Sequence, residues 1–166
     1  MQKRLLSFAQ WMVLGLLAGV ICGTASALFL TLLYKVTSFR LINPVIIWAL
    51  PVAGFLMGWV YQKFGQEILP GNNLVIDRLH SGGAQLPWRM APLALLGTVW
   101  THLFGGSAGR EGPISQIAGG FGSYLAQLLR LSDRERRLLL LAGAAGGIGA
   151  IFRIPLGAAI FCVEVL

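Results

Sequence analysis

Two apolar stretches without Lys, Arg, Asp or Glu, residues 90 to 109 and 112 to 129, flank the run Gly105-Gly106-Ser107-Ala108-Gly109-Arg110-Glu111-Gly112-Pro113. A helix N-terminus leaves N–H groups unpaired and carries partial positive charge, so it attracts anions. Pro113 suits the first turn of such a helix, where its missing N–H costs nothing and its φ is preset. Glu111 then stands where its own carboxylate, an anion tethered beside Gly112 and the following turn, occupies the site. Protonation weakens that hold and lets a mobile anion replace it. One residue thus has the chemistry of both gate and proton carrier. Arg110 either keeps the local potential positive or anchors the loop. A plainer alternative is a polar turn at a membrane interface in which Arg110 and Glu111 satisfy one another. Within a bilayer, by contrast, a charge at mid-depth costs several kcal/mol unless paired or solvated.

A second polar stretch, Gly71-Asn72-Asn73-Leu74-Val75-Ile76-Asp77, predicts a short helix running to about His80 with Asn72 or Asn73 at its cap. It reads either as a capped surface helix or as an anion-facing half-helix. Nothing else carries catalytic chemistry. His80 and His102 lie on different segments without metal-ligand spacing, and Ser107 has no base visible in sequence. No metal, no cofactor and no catalytic residue is therefore expected, and the chain is not read as an enzyme. Cys22 and Cys162 sit in apolar stretches as small hydrophobes.

The elements that must position these residues are membrane helices. Of 166 residues, 56% are hydrophobic and 11% charged, with mean hydropathy +0.74; a soluble domain carries roughly 25% charged residues. Such a chain cannot hide its apolar surface as a globular protein. Charge-free intervals cover 5 to 34, 41 to 62, 90 to 109, 112 to 129 and 138 to 152. The first two are long enough to cross roughly 30 Å of hydrocarbon. The later ones are shorter and interrupted by Gly and Pro, which predicts helices that start or stop inside the bilayer. Helices are expected over 8 to 35, 42 to 62, 90 to 104, from near Glu111 or Gly112 to 130, 132 to about 150 and 156 to 166. Gly15, Gly19 and Gly23 share one helix face and are expected to let another helix approach closely. Ser132-Asp133-Arg134-Glu135 is a capping-box pattern. The net charge of +7 is scattered over helix ends, without the basic patch that nucleic-acid binding needs. Lys3 and Arg4 favour a cytoplasmic N-terminus, against which Lys35 and Arg40 weigh. The initial apolar run is too long for a signal peptide and reads as a retained helix.

Gly109-Arg110-Glu111-Gly112-Pro113, then Gln116-Ile117-Ala118-Gly119-Gly120, Ala142-Gly143-Ala144-Ala145-Gly146 and Ile154-Pro155-Leu156-Gly157-Ala158, together resemble the CLC family of chloride channels and proton-coupled anion antiporters. The resemblance covers essentially the whole chain. It implies an all-α polytopic membrane protein in which residues 1–166 form a partial transmembrane domain. That domain is the N-terminal half of a CLC-type inverted-repeat fold, with re-entrant or discontinuous helices. The implied function is anion transport, chloride or fluoride, proton-coupled through Glu111 as gate, with Asn72, Asn73, Arg110, Glu111 and Gly112 around the anion. The family's GSGIP segment, whose Ser contacts the central anion, falls on Gly71 to Val75 and puts Asn72 at the Ser position. That departure, with the stretch from Thr101 to Gly112, is similar to the fluoride/proton antiporter branch, whereas Pro113 matches the chloride majority. Val165 aligns with an inner proton-relay Glu of many chloride/proton antiporters, so that station is expected to be missing. Implied partners are chloride or fluoride ions, protons, the lipid bilayer and a second identical subunit; the implied location is a bacterial inner membrane, crossed several times. The family's second half, with its GxFxP loop and central Tyr, is not matched, which reads as a piece of a longer protein or as two half-chains assembling. The competing reading is a non-transporting membrane-assembly protein built on the glycine faces.

Overall fold

The computed structural model describes residues 2–80 and 85–165. It is all-α among the described residues: α1 Gln2–Ile42, α2 Leu50–Phe64, α3 Asn72–His80, α4 Met90–Leu103, α5 Glu111–Leu128, α6 Asp133–Phe152 and α7 Pro155–Val165, with a 3-10 helix at Pro44–Ala49. The expected helices are all present, but two boundaries move. α1 continues well past residue 35, because nothing between Lys35 and Ile42 breaks it until Asn43, which precedes Pro44 and leaves the α region (φ −121°, ψ 71°). The single second helix expected over 42 to 62 is divided into the 3-10 turn and α2, each with a proline in its first turn.

Gln10–Ile42 and Pro44–Phe64 are long and apolar enough to cross a membrane. At 1.5 Å per residue the 33 residues of the first reach about 50 Å, well beyond the hydrocarbon thickness, so in a bilayer it tilts or protrudes. α4, with 14 residues, is shorter than a perpendicular crossing needs.

α5 lies at the centre, and its tightest neighbour is α6. A Cβ built on Gly143 would lie 2.6 Å from the Ala118 carbonyl oxygen, and one on Gly147 would lie 2.6 Å from the Ala118 Cβ. The main core joins five helices through Phe29 and Leu33 of α1, Ala94 of α4, Ile114 and Ile117 of α5, Ala144 and Ile148 of α6, and Cys162 of α7. Because lipid is as apolar as these side chains, close backbone approach carries much of the helix association.

The glycine ridge of α1 is not where that approach occurs. Gly15 and Gly19 are exposed, and a Cβ on Gly15, Gly19 or Gly23 would meet nothing within 4 Å among the described residues. α1 packs instead through the adjacent face of Ala18, Cys22, Ser26, Phe29 and Leu33, all buried. Helical spacing alone identifies a smooth face but not which element covers it.

α6 begins as its sequence predicts. The Ser132 N–H and hydroxyl donate to Glu135 Oε2 at 2.9 and 2.6 Å, the acceptor side of a capping box. The Ser132 hydroxyl first, and its N–H second, hold the Glu135 carboxyl below the usual range. A depressed carboxyl contributes stability above its unfolded-state value and loses it as pH falls through the folded one. Exposure keeps the contribution small. Ser132→Ala is expected to cost about 1 kcal/mol and to flatten the acid dependence of unfolding below the ordinary Glu range; guanidinium melts at neutral and acid pH measure both.

Candidate functional site

The N-termini of α3 and α5 meet through Asn72. Gly71 takes a left-handed conformation (φ 62°), turning the chain into α3. Asn72 is the first helical residue, and its side chain reaches across to α5 instead of capping α3. Its Oδ1 accepts from Ser115 Oγ at 2.8 Å and from Gln116 Nε2 at 3.3 Å. The same Ser115 hydroxyl lies 2.8 Å from the Gly112 carbonyl. With Oδ1 engaged by two side chains of α5, the Asn72 NH2 faces the start of that helix. A Cβ on Gly112 would lie 3.5 Å from Nδ2, and one on Gly71 would lie 3.4 Å from Gln116 Nε2. Both are ordinary van der Waals separations, and at Gly71 it is the left-handed φ that favours glycine.

Glu111 opens α5 and is exposed. No side chain caps the helix, and the Glu111 and Gly112 N–H groups donate to no backbone carbonyl outside it among the described residues. These donors and the Asn72 amide make an electropositive corner without a fixed cation. The Glu111 carboxylate folds back over Gly109, where a Cβ would lie 3.2 Å from Oε2. Arg110 and Glu111 form no ion pair, and neither side chain has another hydrogen-bond partner among the described residues. The self-satisfied turn that the sequence leaves open is therefore not formed, and Glu111 is free to move.

Of the expected anion-site residues, the structure brings together Asn72, Glu111 and Gly112. Arg110 is adjacent and exposed, while Asn73 is exposed and makes no side-chain hydrogen bond with α5 among the described residues. One helical step, about 100°, turns Asn73 away from the partner that Asn72 reaches. Sequence reading missed Ser115 as a site residue and quoted Gln116 only within a motif. Their signal was present: adjacent polar residues in the first turns of an otherwise apolar helix.

Beyond Pro113 and Gln116 lies a hollow of about 270 Å³ lined by Tyr61, Thr98 and Thr101. All three hydroxyls donate to carbonyls of α4, Tyr61 to Leu93 at 2.9 Å, Thr98 to Ala94 at 2.8 Å and Thr101 to Gly97 at 2.7 Å. Each hydroxyl thus spends its donor on a backbone carbonyl and keeps only acceptor capacity. Both histidines engage their own helices, His80 Nδ1 with the Ile76 carbonyl and His102 Nδ1 with that of Thr98. No group of three potential metal ligands exists among the described residues. Cys22 and Cys162 are buried and unpaired by any disulfide.

The family model for voltage gated chloride channels matches residues 53–166. A chloride/fluoride channel protein of Pseudomonas syringae pv. tomato is 44% identical over 158 residues, covering 95% of this chain and 35% of that protein. An H(+)/Cl(-) exchange transporter of Vibrio campbellii is 41% identical over 78 residues, 46% of this chain and 17% of the other. Among solved structures, a CLC-type fluoride/proton antiporter superposes with TM-score 0.87 at 34% identity, over 93% of this chain and 39% of that one. The chain thus spans well under half the length of these relatives.

Proposed function

The chain belongs to the voltage gated chloride channel family, and from that premise we propose that it supplies one wall of a proton-coupled anion pathway in which Glu111 is the gate. The observation that carries this reading is the meeting of two helix N-termini at Asn72, with an unpaired, movable carboxylate beside them. Relatives named as a channel and as exchangers point to transport, not catalysis.

Fluoride is the preferred substrate in this reading. Asn72 presents an amide NH2 where the chloride-type motif has a serine hydroxyl, and the similar proteins include one named for chloride and fluoride and one for fluoride/proton antiport. Asn72→Leu strips the acceptor from Ser115 and Gln116 and the donor from the anion. Losing roughly 1 to 1.5 kcal/mol of hydrogen bonding corresponds to about a tenfold rise in the anion Kd, read by titration calorimetry. Release of fluoride and chloride from proteoliposomes loaded with these ions and carrying the full-length protein tests the function itself. Fluoride release at least tenfold above protein-free vesicles and faster than chloride supports it; release equal to empty vesicles with both ions would refute it.

The protein works in this reading as a homodimer in a bacterial inner membrane, completed by a second, inverted half. Arg89, Arg130, Arg134, Arg136 and Arg137 belong to the end of the bundle where α4 and α6 start and α5 finishes, while Lys35, Arg40, Arg110 and Arg153 belong to the other. The positive-inside bias favours the arginine-rich end as cytoplasmic, which keeps the N-terminus inside. The open ridge of Gly15, Gly19 and Gly23 is then the face for a helix outside residues 1–166.

A further inference from the structure

We propose that the groove between α1, α4 and α5 binds an anionic phospholipid, one acyl chain lying in the groove and the phosphate held by Arg89. The groove encloses about 660 Å³, within the range of small-ligand sites. Its walls come from Ile21 and Leu28 of α1, Leu95 of α4 and Phe121 of α5. Thr24 also lines it, but its hydroxyl donates to the Val20 and Ile21 carbonyls, both at 2.9 Å. The wall therefore offers a methyl group and no unmet polar demand. Such a trough along membrane helices suits a hydrocarbon chain and has nothing to hold a polar solute.

One end of the groove is different. Trp88 and Tyr124 stand at its mouth, 69% and 53% exposed, as amphipathic aromatics do at the headgroup level. They share a level because the start of α4 and the end of α5 are tied together, Leu86 N–H donating to Ser123 Oγ at 3.0 Å. The Arg89 guanidinium lies 5.6 Å from the centre of the Trp88 ring, held at this mouth. The α5–α6 connection at the same end adds Arg130, Arg134, Arg136 and Arg137. Of the two acids there, Asp133 and Glu135, the latter is already engaged by Ser132. Arg137 Nε is buried without a hydrogen-bond partner among the described residues. An apolar trough with the Arg89 guanidinium at its mouth, on the arginine-bearing end of the bundle, is complementary to a lipid with a net negative headgroup, and a zwitterionic lipid satisfies only half of it.

Native mass spectrometry of the purified protein in detergent, titrated with dioleoyl phosphatidylglycerol or dioleoyl phosphatidylcholine, tests this independently of ion selectivity. Phosphatidylglycerol is expected to bind at least tenfold more tightly. Near a membrane surface each basic side chain contributes an amount worth about fivefold in affinity. Arg89→Gln should therefore weaken phosphatidylglycerol about fivefold and leave phosphatidylcholine unchanged. Thr24→Trp, filling the trough, should weaken both lipids at least tenfold; Leu28→Trp gives the same readout from the same wall if the first variant does not accumulate. Glycerol phosphate, a headgroup without chains, should displace neither. Equal binding of the two lipids overturns the proposal, as does binding that both tryptophan variants leave intact or that glycerol phosphate abolishes. Absence of binding by either lipid, the result expected if another protein helix covers the groove, overturns it as well.

Discussion

Glu111→Gln is expected to abolish proton movement coupled to an anion gradient while anion flux continues. Glutamine keeps the shape of the side chain and cannot take up a proton, so the swap isolates the one property on which coupling depends. It also removes the attraction between a carboxylate and the positive end of α5, roughly 0.3 to 1 kcal/mol and up to about 2 where partly shielded. The neutral side chain therefore leaves the anion site more readily, and anions pass without exchanging with a proton. In proteoliposomes with a pH-sensitive dye inside and an imposed fluoride gradient, proton uptake should fall at least tenfold, to the level of protein-free vesicles. Anion release should equal or exceed that of the parent. Unchanged proton flux would sink the gating role. The geometry makes a large effect reasonable, because Glu111 has no ion-pair partner among the described residues and Arg110 does not hold it.

Gly143→Val is expected to be among the most damaging single substitutions for the fold of residues 1–166, and Gly19→Val one of the mildest. At Gly143 even the Cβ would lie 2.6 Å from the Ala118 carbonyl oxygen, a backbone atom that moves only if α5 moves. Overpacking of this kind costs typically 1 to 3 kcal/mol and sometimes more. Moving α5 also carries Glu111, Ser115 and Gln116 away from Asn72, so anion binding should fall together with thermal stability in detergent. At Gly19 the added side chain meets nothing within 4 Å among the described residues, and replacing a helical glycine recovers up to about 1 kcal/mol of backbone entropy. Thermal melts of the two variants side by side test the contrast. If Gly19→Val lowers the melting temperature of residues 1–166 as far as Gly143→Val does, the ridge is packed within this chain and is not the face for a helix outside it.

The helices were legible because their signals are local. Pro113 and Pro155 lie at or near helix starts, Ser132 and Glu135 cap α6, and charge-free runs give the lengths; all of these operate within a few residues. The misplaced boundary after residue 35 has the same origin, since a charge such as Lys35 ends an apolar run without ending a helix. The candidate site was half legible. Glu111 and Gly112 follow from the chemistry of a helix start, and Asn72 from the resemblance, which puts it at the Ser position of the family's motif. Ser115 and Gln116 were passed over, because their significance lies in reaching a residue more than forty positions away.

The sequence by itself determined that the chain is a set of apolar helices, where most of them begin, and that an ionisable carboxylate sits at the start of one. Backbone hydrogen bonding, proline geometry and burial in lipid act on neighbouring residues, and their outcome is written in order along the chain. Only the tertiary structure decided which glycines are contact points, which asparagine turns toward α5, and that Arg110 does not neutralise Glu111. The first two depend on the angle at which two helices cross. That angle is set by side chains and backbone atoms far apart in sequence, so no local pattern specifies it.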